Sequence, residues 1–167
     1  STGVGFAVPA VMVRRVLDSA LQGERVVVRP WLGVKAEAVD SDRARALGMD
    51  RPRGVIVTEV WSGGPGVRAG IQTGDVITAV DGQAVNDQGG LNFRIGARRP
   101  NDEVRIDILR DGRARTVTAR VQPLPGDADP TGVVIQEGLF AGAQVVVLNP
   151  ALAERLGGDP FQKGVLI

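Results

Sequence analysis

The 167 residues of this chain include no histidine, no cysteine and no tyrosine. Without histidine, a Ser-His-Asp or Cys-His constellation cannot be assembled from these residues alone. Without cysteine there is no disulfide, no thiolate nucleophile and no cysteine-ligated zinc, and no redox mark of a compartment. Aromatic residues are only 4% against 43% hydrophobic overall. The core must therefore come from Val, Ile, Leu and Ala, which suits a small β-rich domain. No apolar run approaches the roughly 18 residues of a membrane-spanning helix, and no secretory signal is visible. Neither charge dominates. Twenty basic and 19 acidic residues are interspersed for a net charge of +1, which argues against a nucleic-acid partner. No residue cluster calls for a metal or a cofactor.

What remains is patterned by Gly, Pro and short apolar alternations. Residues 3–8 alternate Gly with apolar residues and read as a strand that Pro9 ends. Val11, Val13, Val16, Leu17 and Leu21 then fall near helical spacing, with Gly23 as a stop. Val26-Val27-Val28 reads as a strand leading to Arg29-Pro30-Trp31, where Pro30 breaks the ladder. A strand is predicted from Val34 to Val39, then a short helix ended by Gly48, then a buried strand from Val55 to Val60. Ser62-Gly63-Gly64-Pro65 predicts a turn into a helix with Pro65 in its first turn. Val76, Ile77 and Val80 run to an Asp81-Gly82 turn. A helix is predicted over 87–98, capped by Asn86 or Asp87, with Leu91 and Ile95 on one face. Val104, Ile106 and Ile108 alternate before Asp111-Gly112, and Val117, Ala119 and Val121 alternate after it, which predicts a hairpin. The segment 123–132, rich in Pro, Asp and Gly, reads as a linker.

After that linker the chain begins again. Phe140-Ala141-Gly142-Ala143 matches Trp31-Leu32-Gly33-Val34, and Ala153-Glu154-Arg155-Leu156-Gly157 matches Ala44-Arg45-Ala46-Leu47-Gly48. Lys163-Gly164-Val165-Leu166-Ile167 matches Arg53-Gly54-Val55-Ile56-Val57 after a one-residue insertion. A repeat at domain-sized spacing is a stronger signal than any single motif, and the second copy stops where the first has most of its length to go.

The ordered set Trp31-Leu32-Gly33-Val34, Gly54-Val55-Ile56-Val57, Gly63-Gly64-Pro65, Ala69-Gly70-Ile71 and Gly74-Asp75-Val76-Ile77 resembles the PDZ domain of the HtrA/Deg serine proteases. Gly3 to Pro9 resembles the last strand of the protease domain that precedes such a PDZ. The resemblance implies four segments. They are the end of a protease domain (1–22), a complete first PDZ (24–122), the linker, and the start of a second PDZ (133–167). The implied fold is mainly β with short helices, a five- to six-stranded partly open barrel or sandwich capped by two helices. The family acts in protein quality control in the bacterial periplasm. Its catalytic residues would lie before Ser1, so no catalytic residue is assigned here and the fragment itself is not expected to be an enzyme. The parent would be a serine endopeptidase.

A PDZ domain takes up the C-terminus of an extended peptide as an added strand at a sheet edge. The resemblance therefore makes Trp31, Leu32, Gly33 and Val34 the carboxylate-binding loop, where backbone N–H groups converge on an anion. Val34, Lys35 and Ala36 become the peptide-pairing strand. Leu32, Val34, Leu91, Arg94 and Ile95 become the specificity pocket. Expected partners are C-terminal or unfolded peptide segments and the protease domain of the same parent chain, with no nucleic acid and no membrane span. The unpaired edges of strand 3–8 and of the unfinished second copy also favour strand pairing between fragments, and residues 164–167 form an apolar terminus of the kind such grooves accept. Asp75 is implied to be a structural turn residue. Two alternatives share these motifs, a non-proteolytic scaffold or secretion-system PDZ and a PDZ-bearing membrane protease of another mechanism. Residues 3–9 count against the first, and the lack of spanning segments against the second.

Gly89, Gly90 and Gly96 each cost about 0.8–1 kcal/mol relative to Ala within a helix. Amide exchange across 88–97 is accordingly expected to run faster than across the 103–121 hairpin, a comparison that hydrogen exchange read by mass spectrometry makes directly.

Overall fold

Asp-Gly pairs set the turns of this chain. Asp81 and Gly82 take φ of 48° and 78°, and Asp111 and Gly112 take 53° and 74°. Two successive left-handed residues make the turn whose twist matches the strands it joins. A computed structural model of the protein describes residues 6–8, 29–126 and 132–167. The strand expected at 26–28 and the helix expected across 11–21 lie outside the described residues. The chain divides into two units, Val28–Pro123 and a second made of Ser1–Val27 with Leu124–Ile167.

In chain order, β1 is Phe6–Val8, β2 Pro30–Trp31, β3 Val34–Ala38, α1 Ser41–Ala46, β4 Val55–Val60, α2 Pro65–Arg68 and β5 Val76–Val80. There follow β6 Gln83–Ala84, α3 Gln88–Gly96, β7 Glu103–Arg110, β8 Arg113–Arg120 and β9 Gln122–Pro123. The second unit adds β10 Val133–Val134, β11 Gln144–Val147, α4 Pro150–Arg155 and β12 Gly164–Leu166.

The first unit is built on one open antiparallel sheet in the order β3-β4-β5-β7-β8, with β6 paired to β5. The short ribbon β2-β9 stands apart from it. The expected architecture, mainly β with short helices, is observed, and the sheets stay open. Its apolar core gathers Val55, Val57 and Ile77 of the middle strands, Val104, Ile106 and Ile108 of β7, and Leu91 and Ile95 of α3, all nearly or fully buried. The 3.6-residue period of α3 points Leu91 and Ile95 inward and leaves Phe93 75% exposed. Among the described residues no helix is long and apolar enough to cross a membrane.

One buried charge stands in this core. Asp75 is 2% exposed. Arg110 grips it two-handed, Nε to Oδ1 at 2.8 Å and Nη2 to Oδ2 at 2.7 Å. Oδ2 also accepts from the Gln72 N–H at 2.9 Å, and the Arg110 Nη2 donates onward to the Gly70 carbonyl at 2.6 Å. The bond to Asp75 holds the Arg110 pKa above the usual arginine range. Asp75 thereby ties the turn before β5 to the end of β7, a structural role, as the resemblance implied.

Within the second unit, residues 144–166 repeat the strand pairing and helix cap of the first. Its β11 and β12 pair antiparallel with Val146 opposite Leu166 and Val147 opposite Val165. In β3 and β4 the matching pairs are Glu37 with Ile56 and Ala38 with Val55. The helix caps correspond, with Asp40 Oδ1 accepting from the Arg43 N–H at 2.8 Å and Asn149 Oδ1 from the Leu152 N–H at 2.9 Å. The carbonyl of Gly54 accepts from Val39 at 3.1 Å, and that of Gly164 accepts from Leu148 at 2.9 Å. The two edges that the sequence leaves open meet within the chain, where β1 pairs in parallel with β12 as Phe6 with Gly164 and Val8 with Leu166.

Removing one partner of a buried, hydrogen-bonded charge pair is far costlier than losing a surface pair. Asp75→Ala is expected to destabilise the first unit by about 2–4 kcal/mol, read as a lower urea midpoint in the tryptophan fluorescence transition.

Candidate functional site

Among the described residues, strand β3 is the edge of its sheet and has β4 as its one strand neighbour. Because the Gly33 carbonyl accepts from the Trp61 N–H at 2.8 Å, Val34 and Val60 form a pair whose own backbone groups point away from each other. Alternation then sends the N–H and C=O of Val34 and Ala36 to the outer edge, while their side chains are buried. Helix α3 packs against β2, β3 and β5. The outer edge of β3 and α3 thus lie side by side, next to residues 31–34.

The segment 31–34 is bolted to α2 and to the turn before it. The Leu32 carbonyl accepts from the Gly66 N–H at 2.7 Å, and the Gly33 carbonyl from Trp61. A planar peptide unit points its C=O and the following N–H in opposite directions. Tying down the carbonyls of Leu32 and Gly33 therefore turns the N–H groups of Gly33 and Val34 away from the body. Among the described residues, none accepts from the N–H of Leu32, Gly33 or Val34. Gly33 takes φ of +73°, the left-handed conformation that this turn needs and that a side chain disfavours. Gly66 is required for a different reason. A Cβ there would stand 2.6 Å from Val34 Cγ2 and 3.1 Å from the Leu32 carbonyl oxygen. Trp31 and Trp61 lie beside the loop with ring centroids 5.7 Å apart and planes tilted by 60°.

The structure brings most of the residues singled out from sequence into one place. Leu32, Val34, Leu91 and Ile95 share the buried apolar cluster behind the loop, at 3%, 4%, 1% and 2% exposure. Ala36 follows on the edge strand, and the Lys35 side chain points to solvent. Arg94 goes elsewhere. Its guanidinium donates to the Ala84 carbonyl at 3.1 Å and to the Gln83 side chain, so it clamps α3 to β6. Sequence reasoning missed Gln88 and Asn92, whose amide side chains stand on the α3 face toward β3. Their spacing from Leu91 and Ile95, three and seven residues back for Gln88 and three back from Ile95 for Asn92, was the available signal.

The matching loop of the second unit is wired differently. There the Gly142 N–H donates to the Ile135 carbonyl at 2.8 Å, and the Ala143 N–H to the Phe140 carbonyl at 3.0 Å. The amides that correspond to those of Gly33 and Val34 are both taken.

Chemically, the first loop offers hydrogen-bond donors without a fixed charge, next to an apolar cluster and an unpaired strand edge. Such a site suits a carboxylate followed by an extended chain.

The family model for the PDZ domain matches residues 30–121. A probable periplasmic serine endoprotease, DegP-like, of Rhizobium meliloti (strain 1021) is 38% identical over 128 residues, 77% of this chain and 25% of that protein. The DegP-like protein of Chlamydia trachomatis serovar D is 30% identical over 99% of this chain and 32% of its own length. The chain thus spans a quarter to a third of these curated relatives. Among solved structures, the HtrA-type protease AlgW with a decapeptide is similar at 31% identity and a TM-score of 0.55, over 72% of this chain and 37% of that one. AlgW with a tripeptide is similar at 27% identity and a TM-score of 0.56, over 75% and 46%.

Overpacking a close backbone approach typically costs about 1–3 kcal/mol. Gly66→Ala is expected to lower stability by that amount and to displace the Leu32–Val34 segment. A changed tryptophan emission spectrum in the folded protein, from the neighbouring Trp31–Trp61 pair, is the measurement that checks it.

Proposed function

The chain belongs to the PDZ domain family, and from that premise we propose that its first unit binds peptides by strand addition and serves as the regulatory region of an HtrA/Deg-type serine endoprotease. The observation that carries this reading is the open edge of β3 running into a loop whose N–H groups have no acceptor among the described residues. A peptide carboxylate would take the N–H groups of Leu32, Gly33 and Val34. Its backbone would pair with Val34 to Ala36, and its last side chain would press toward Leu32, Val34, Leu91 and Ile95. Trp31 shapes the loop by packing on Trp61. Arg94 serves the site indirectly by fixing α3 to β6.

In this reading residues 1–22 close a protease domain, 24–122 form the first PDZ, 123–132 link it onward, and 133–167 begin a second PDZ. The shared register and caps of the two units support that last assignment. The working context is capture of C-termini or unfolded segments in periplasmic quality control, with cleavage done by residues outside this chain, which has no histidine of its own.

The energetics favour transient capture. Burying one terminal aliphatic side chain yields about 1.5–3 kcal/mol, and each net hydrogen bond adds roughly 0.5–1.5 kcal/mol. After the cost of association, a complex in the micromolar range, near about −8 kcal/mol, is the expected result.

The test is a titration of the whole chain with a labelled peptide ending in Val-Leu-Ile, as free acid and as amide. Micromolar binding of the acid alone is expected. Equal binding of the amide, or none of either, would remove the reading of residues 31–34 as a carboxylate site.

A further inference from the structure

A polar contact joins β3 to α3. The Ala36 N–H on β3 donates to Oε1 of Gln88 at 2.7 Å, across 52 residues of sequence. Nε2 of the same side chain donates to Oδ1 of Asn92 at 2.8 Å. The two bonds fix each other. An N–H can be met only by the amide oxygen, which leaves the amide nitrogen to face Asn92.

Ala36 lies at the centre of β3, and its N–H points to the edge that no strand among the described residues occupies. A strand added there must offer a backbone carbonyl to that N–H. Gln88 already meets it with the oxygen of its side-chain amide. We propose that Gln88 is a latch on the pairing edge: its carboxamide, steadied by Asn92, occupies the Ala36 N–H in the free chain and must swing away before a peptide strand can pair.

This inference rests on the strand-addition reading. It follows that only the unlatched fraction is competent to bind, and the apparent dissociation constant rises in inverse proportion to that fraction. A half-buried side chain changes rotamer on a nanosecond scale or faster, so the latch sets how much open edge is present without limiting the rate of opening. It also gives the edge a standing partner, where a bare edge invites unwanted pairing.

The test compares the whole wild-type chain with Gln88→Ala, Asn92→Ala and Gln88→Glu. Two readouts are taken, Ala36 amide exchange by NMR without ligand, and affinity for the Val-Leu-Ile acid peptide. In Gln88→Ala the Ala36 amide is expected to exchange at least about threefold faster, and the peptide to bind about 2- to 10-fold tighter through a faster association rate, the equivalent of one net hydrogen bond. Asn92→Ala should move both readouts the same way by less. Gln88→Glu, whose carboxylate is a stronger acceptor, should protect Ala36 further and weaken binding. Unchanged Ala36 exchange in Gln88→Ala overturns the latch, as does weaker or equal peptide binding. If no variant binds the peptide, the strand-addition reading is what fails, and the exchange comparison still decides whether Gln88 holds the amide.

Discussion

A peptide unit cannot turn its carbonyl toward one partner without turning the next N–H away from it. At residues 32–34 that rigidity organises the site. Gly66 and Trp61 pull two successive carbonyls into the body, and the N–H groups of Gly33 and Val34 are pushed out together. These donors are presented by backbone alone, without a charged side chain. The arrangement depends on backbone touching backbone, which is why the space that a Cβ on Gly66 would fill is already occupied by Val34 and Leu32. The same pull sets the phase of β3, putting the backbone of Val34 and Ala36 on the free edge and their side chains in the core. Donor loop, pairing edge and apolar cluster are therefore consequences of one local constraint.

The opposite wall is held by other means. Helix α3 has nine residues and three glycines, too short and too poor in propensity to stand alone in water. It is pinned at several points. Asp87 caps its start by accepting from the Gly90 N–H, Leu91 and Ile95 are buried, and Arg94 fastens its last turn to Ala84 and Gln83. The helix is therefore supported by tertiary contacts more than by intrinsic preference.

Much of this was legible in the sequence because it is encoded locally. The Asp-Gly turns, the alternation on either side of Asp111-Gly112 and the repeated Gly-containing motifs all act over a few residues. So does the period that places Leu91 and Ile95 on one face. The helix expected over 87–98 forms over Gln88–Gly96 with Asp87 as its cap. What was not legible depends on distance along the chain. Arg110 reaches Asp75 across 35 residues and Gln88 reaches Ala36 across 52, and no period or composition records such a pairing. Arg94 illustrates the converse. It lies on the helix expected over 87–98, yet the carbonyl that decides where its guanidinium goes belongs to another element.

The two units give an internal comparison in which the scaffold is held constant. Strand register, helix cap and the bond to the glycine carbonyl before the second strand recur in both, so whatever differs at the loops does not come from a different framework. In the first, the N–H groups of Gly33 and Val34 have no acceptor among the described residues. In the second, Ile135 and Phe140 accept from Gly142 and Ala143. An anion entering the second loop would have to displace hydrogen bonds already made, and the net worth of an exchange of like for like is close to zero. Entering the first, it would meet N–H groups that no described residue has taken. The two loops thus differ in backbone wiring before any side chain is considered. Replacing the bulky Trp31-Leu32 by Phe140-Ala141 removes apolar contact in the same direction.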